Sequence, residues 1–175
     1  MTRPPADEDF ADLVHTCWPG LYRTAYLLLG DAAEAEDLVQ TALAKTYASW
    51  RRVRSVEAAP GYARTTLVNT AASWFRKKSW RNELPTETLP DTAAGPADAD
   101  PTDRSTLVDA LAQLPPRQRA VVVLRYYEDL SVAQVAAALG ITDGTVKSQT
   151  SAAIDRLRVL LHAPDLALPI GATRA

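Results

Sequence analysis

The chain has 175 residues, enough for one ordinary domain or two small ones, and its 47% apolar content is that of a folded protein. No apolar run approaches the roughly 18 residues of a bilayer span, the single Cys17 excludes an internal disulfide, and the acidic Asp7, Glu8 and Asp9 are unlike a signal peptide. A net charge of −2 completes the picture of a soluble protein of a reducing, cytoplasmic compartment.

A first helix is expected from about Asp9, bent at Pro19–Gly20 and resuming from Leu21 to Leu29, with Gly30 as its stop and Asp31 as the cap of the next helix. The second helix sets Val39, Leu43, Tyr47 and Trp50 on one stripe. Glu34, Glu36 and Asp37 stand near its start, where the helix dipole favours acids. Glu36 shares a face with Gln40, and Asp37 with Thr41, at i and i+4. Residues 1–50 hold eight acids against three bases.

The sign then reverses. Residues 51–82 carry Arg51, Arg52, Arg54, Arg64, Arg76, Lys77, Lys78 and Arg81 against Glu57 alone. A loop over residues 51–59 precedes a third helix opened by Pro60, with Leu67–Val68, Ala71–Ala72 and Trp74–Phe75 as its buried stripe. At its end cations interleave with Trp74, Phe75 and Trp80, pairing phosphate affinity with faces on which unpaired bases stack at ~1–3 kcal/mol each. The bland alternative is a helix C-terminus that favours cations while its aromatics complete the core.

Residues 84–103 hold four prolines, one glycine and five acids, the composition of a flexible linker. Helical patterning returns with a short helix over Ser105–Leu114 and another from Pro116 to about Asp129, with Val121, Val122, Leu124 and Tyr126 inward. Ser131 and Gln134 have capping-box spacing. Val132, Val135, Ala136 and Leu139 make one apolar face, Gly140 ends that helix, and Thr142 caps a last helix with Val146, Ala153, Leu157 and Leu160 inward.

The pair reads as a helix-turn-helix: Ala133, Ala136 and Ala137 permit close approach, Ile141 plugs the turn, and Thr142, Asp143, Thr145, Lys147, Ser148 and Gln149 stand at the end that enters a major groove. A plain helical hairpin leaves that polar, glycine-punctuated turn unexplained. Residues 162–175 read as a loose tail.

The fold expected is therefore all-α: two small helical domains, residues 1–83 and 104–161, joined by an acidic flexible linker. His15 and His162 lack partners at metal-ligand spacing, and no phosphate loop or nucleophile motif is present, so no cofactor and no enzymatic activity are expected. A stand-alone regulator with a LuxR-like output domain is the main rival, but residues 1–83 lack the β/α alternation of a receiver domain.

Taken in order, AYLLLGDAAEAEDLVQTALAKTYASW, GYARTTLVNTAASWFRKKSWR, the acidic linker, LPPRQRAVVVLRYYEDLS and the helix-turn-helix resemble the extracytoplasmic-function sigma factors of the sigma-70 family, and among them an actinobacterial SigE-like subset. The resemblance spans about residues 8–161. It implies a protein that binds core RNA polymerase and directs promoter-specific initiation, with the linker running near the RNA path. Asp37, Leu38, Gln40 and Thr41 match the stretch that docks on the clamp helices of the largest polymerase subunit. Arg51, Arg52, Arg54 and Ser55 match the loop that captures a flipped base of the −10 element, and Asn69, Trp74, Arg76, Lys77, Lys78 and Arg81 lie in or at the end of the helix that reads and melts it. Thr142, Asp143, Thr145, Lys147, Ser148 and Gln149 lie where the family contacts the −35 element. Gln149 and Ala152 stand where many members carry arginine, which implies a weaker or unusual −35 contact. Promoter DNA and core polymerase are the implied partners, and whether an anti-sigma factor joins them is left open.

Overall fold

The computed structural model describes residues 7–81 and 103–166, and side chains over residues 8–77 and 106–166. The remainder of the linker and tail readings, and the side chains of Lys78, Trp80 and Arg81, lie outside the described residues. Among the described residues every regular element is helical, and no helix is long and apolar enough to cross a membrane.

The first module is three helices: α1 (Asp7–Leu29), α2 (Ala32–Ala48) and α3 (Ala59–Arg81). α1 runs as one continuous helix, with Pro19 inside it. It stops at Gly30, whose φ of +71° is the left-handed conformation that glycine adopts without a Cβ penalty. Asp31 then caps α2, its carboxylate accepting from the Glu34 amide at 2.8 Å.

The inward face of α2 is wider than the expected stripe, with Ala35, Leu38, Val39, Ala42, Leu43 and Thr46 all buried. Trp50 is buried too, but Tyr47 is not: it is 51% exposed and packs at a tilt on Phe10, ring centroids 4.8 Å apart. In α3 Leu67, Val68, Ala71 and Ala72 are buried as expected, and Trp74 and Phe75 are half-buried against the same core.

The second module comprises α4 (Asp103–Ala112), α5 (Pro116–Val122), α6 (Val132–Leu139) and α7 (Asp143–Leu160). Pro116 opens α5 at a position where its missing N–H costs nothing. After Val122 the helix widens to i→i+5 spacing over Val123–Tyr127, closed by the Glu128 amide on the Val123 carbonyl at 3.0 Å. Six consecutive residues, Arg119 to Leu124, are buried. One apolar face does not explain such a run; two do. Val122 belongs to the core of the second module with Leu111, Leu114, Ala153 and Leu157, while Val121, Val123 and Leu124 join the core of the first.

The modules therefore pack on each other, with one apolar cluster running from Leu13 in α1 to Val146 in α7. Polar contacts cross the seam as well. Arg119, 8% exposed, donates to the carbonyls of Leu28 at 3.1 Å and Leu29 at 2.5 Å, and to Ala112 in its own module at 3.0 Å. Those α1 carbonyls end a helix and have no intrahelical donor, so a cation is the fitting partner. Burial lowers the pKa of Arg119 from the usual arginine value, with the Glu34 charge acting the other way. Residues 162–166 are not loose: they turn back on α7, Leu166 packs on the second core, and its carbonyl accepts from Arg158 at 3.1 Å.

Candidate nucleic-acid interface

On α2, Glu36, Asp37 and Gln40 are exposed and Thr41 is half-exposed, forming the polar strip that the i, i+4 pattern predicts. Leu38 is a correction. Its side chain is fully buried in the core, so it supports the strip from beneath and presents nothing to a partner.

After α2 the chain makes two short 3₁₀ turns, Trp50–Arg52 and Val56–Ala58. Arg51, Arg52 and Arg54 point to solvent, while Val53 and Trp50 pin the loop to the core. Ser55 is a second correction: it is buried, and its side chain hydrogen-bonds Glu57. That bond, together with the Glu57 amide, holds the Glu57 carboxyl below the usual glutamate pKa. Ser55 fastens the loop; the arginines are what it displays.

Along α3 the exposed side holds Arg64, Thr65, Asn69, Arg76 and Lys77, opposite the buried stripe. Trp74 is half-buried, which gives it a part in the core and a face left over. The helix is thus fixed by apolar residues on one side and carries cations on the other, the arrangement that backbone contact with a nucleic acid requires.

The helix-turn-helix forms from local signals. Ser131 and Gln134 make a reciprocal capping box at 2.8 and 3.2 Å, Gly140 takes φ +67°, and Thr142 accepts from the Thr145 amide at 3.1 Å. Thr142, Asp143, Lys147 and Ser148 are exposed at the start of α7, and Thr145 and Gln149 are half-buried beside them. Of the three alanines expected at the helix crossing only Ala136 is buried. Ala133 is exposed, and Ala137 lies in a cleft facing α3.

Sequence reasoning missed the residues that join the modules. Glu128, 8% exposed, accepts from Thr24 Oγ1 at 2.9 Å and from Arg64 Nε at 2.6 Å. Arg76 donates to the Ala138 carbonyl at the end of α6. Their partners lie 62 to 104 residues away, beyond any periodicity; the available signal was charge bracketing the apolar run AVVVL, with Arg119 just before it and Glu128 just after.

Two family models match the chain: Sigma-70 region 2 over residues 13–81 and Sigma-70, region 4 over residues 104–157. Over 158 residues the chain is 42% identical to the RNA polymerase sigma-E factor of Streptomyces coelicolor, covering 90% of this chain and 89% of the relative. The chain belongs to the extracytoplasmic-function sigma factors of the sigma-70 family. It is also 36% identical to the ECF RNA polymerase sigma factor SigL of Mycobacterium tuberculosis over 152 residues, covering 81% of this chain and 82% of that one. Among solved structures it is similar to the sigma factor RpoE of Bartonella quintana, crystallised with the anti-sigma factor NepR, with TM-score 0.58, 29% identity, and coverage of 89% of this chain and 98% of that one. Like its family, this sigma factor directs promoter-specific initiation by RNA polymerase, with its first module as region 2 and its second as region 4.

Proposed function

We propose a division of labour among the surfaces of this sigma factor. Glu36, Asp37, Gln40 and Thr41 dock core polymerase. Arg51, Arg52 and Arg54, with Asn69, Trp74, Arg76, Lys77, Lys78 and Arg81, capture and open the −10 element. Thr142, Asp143, Thr145, Lys147, Ser148 and Gln149 read the −35 element. Residues 1–83 and 104–161 are the working units, residues 84–103 tether them, and 162–175 form the tail. The polymerase supplies the catalysis; this chain supplies address and melting, works in the cytoplasm and is not itself an enzyme.

The observation that carries the reading is the two-sidedness of α3: Leu67, Val68 and Ala71 are locked in the core while Arg76 and Lys77 lie on the exposed side of the same helix, Arg76 also donating to the Ala138 carbonyl. A helix fixed on one side presents its cations in a preset geometry, which suits a strand whose flipped bases must offset unstacking costs of a few kcal/mol. An anti-sigma factor, of the kind bound to the Bartonella quintana protein, is a further partner in this reading. Co-purification tests the docking assignment: the wild-type chain is expected to bind core polymerase without DNA, and Asp37→Lys to lose it. Retention of polymerase by Asp37→Lys and by an Asp37→Lys/Gln40→Ala variant would place the docking surface elsewhere.

A further inference from the structure

Lys45 is the lone base of α2 and belongs to none of the three proposed contact surfaces. It stands in the last turn, where the helix dipole favours any cation. Its ammonium nevertheless leaves α2: Nζ donates to Thr70 Oγ1 on α3 at 3.2 Å. Thr70 is 2% exposed, and its hydroxyl donates in turn to the Thr66 carbonyl at 2.8 Å, which leaves the oxygen lone pairs to accept. A buried hydroxyl thus holds the end of an exposed, pliant side chain against α3.

From Thr70 the same face of α3 continues with Ser73, Trp74 and Lys77, at i+3, i+4 and i+7. Ser73 and Trp74 are half-buried and Lys77 is exposed. The order along that edge is the Lys45 ammonium at Thr70, then Trp74, then Lys77, at steps of about one helical turn. Two cations with an aromatic residue between them have the composition of a single-strand site, in which charge follows the backbone and a ring takes a base. On α2, Glu36 lies about half a turn around the helix from Lys45, whereas Asp37 and Thr41 share its row at i−8 and i−4. The direction of the ammonium, not its place on α2, assigns Lys45 to the surface of α3.

We propose that Lys45 is a further contact to the opened −10 strand, a phosphate-binding cation that α2 supplies to the surface of α3, and that Thr70 is the positioning residue that holds it there. A lysine already held loses less side-chain freedom when the strand arrives. This rests on the reading that α3 faces the −10 element.

The test uses holoenzyme assembled from the full chain and core polymerase. The probe is a promoter fragment from which the wild-type chain initiates, with a mismatched bubble over the −10 element. Lys45→Gln is expected to weaken binding and to reduce the slope of log affinity against log salt by about 0.7, the value for one phosphate contact on a single strand. Lys45→Arg should restore the slope. Thr70→Val keeps the shape of the side chain and the charge of Lys45, so it should weaken binding with the slope near wild type. A lysine that only ties α2 to α3 would lower the thermal midpoint when replaced and leave the slope unchanged, and that result would overturn the proposal.

A photo-cross-linker on Lys45→Cys in a Cys17→Ser background should label DNA within the −10 segment. Label on a polymerase subunit alone would overturn the proposal and give Lys45 to the docking row of Asp37 and Thr41. The same cross-linker on Lys77→Cys separates this failure from that of the −10 reading. DNA labelled from position 77 but not from 45 sinks the role of Lys45 alone; DNA labelled from neither sinks the assignment of α3 with it.

Discussion

Gly30 and Arg119, from opposite modules, fit against each other so closely that a Cβ on Gly30 would stand 2.6 Å from Arg119 Nη1. Gly30 serves two ends there: its φ of +71° turns the chain out of α1, and its bare Cα admits the guanidinium that satisfies the last carbonyls of that helix.

Gly30→Ala should therefore be costly. The left-handed conformation alone costs roughly 1–2 kcal/mol, and displacing a buried, charged donor adds an amount on the order of 1.5–3 kcal/mol. For a chain of this size the thermal midpoint should fall by roughly 5–15 °C in calorimetry. Because the two residues touch, the cost of Gly30→Ala should shrink in an Arg119→Ala background; strict additivity would show that the close fit is not energetically coupled.

Loss of the capping box is a smaller, local change. Ser131→Ala should cost about 1 kcal/mol by removing the acceptor for the Gln134 amide, read as a lower denaturation midpoint with unchanged slope. A Ser131→Asp variant should keep most of the stability, since aspartate accepts the same bond.

How much of this was legible in the sequence depended on range. Gly30, Asp31, Ser131, Gln134, Gly140 and Thr142 act within four residues of themselves, and each cap forms as its local pattern predicts. Tyr47 and Leu38 changed places relative to expectation because α2 packs on both α1 and α3, which widens its buried arc past a single stripe. Val123 was missed for the related reason that α5 is sandwiched between two cores and widens there to i→i+5 spacing. The seam itself, Arg119 on Leu28 and Leu29 or Glu128 on Thr24 and Arg64, joins parts of the chain that no local pattern connects.

Lys77→Ala with Lys78→Ala should lower promoter-dependent initiation while leaving core polymerase binding intact, because these lysines belong to α3 and the docking strip proposed above belongs to α2. Asp37→Lys should do the reverse and abolish assembly. Initiation assays and co-purification on the same preparations check both; simultaneous loss in the double lysine variant would mean the basic helix also docks polymerase.

Gln149, half-buried near the start of α7, has the amide geometry for a bidentate pair with adenine. Gln149→Ala should cost ~1–3 kcal/mol, roughly 5- to 150-fold, at one base pair of the −35 element and little at the others. Transcription from a set of single-base −35 variants measures this. A uniform loss across all positions would point to a phosphate contact instead.

Burial raises the pKa of the Cys17 thiol above its ordinary value. A raised thiol pKa leaves less thiolate at pH 8, so alkylation by iodoacetamide should be slower in the folded chain than in guanidinium, and the folded rate should keep climbing at pH values where a free thiol has levelled off. Equal rates folded and unfolded would contradict the burial of Cys17 against the α1–α3 core.

The most direct test of two DNA-reading modules served by one polymerase-docking strip is run-off transcription with core enzyme on a genomic fragment library. The expected result is initiation at a limited set of start sites that share upstream elements at −35 and −10, present only when the chain is added and lost with Arg76→Ala/Lys77→Ala. Transcription indistinguishable from core enzyme alone, or start sites without a shared upstream pattern, would contradict it.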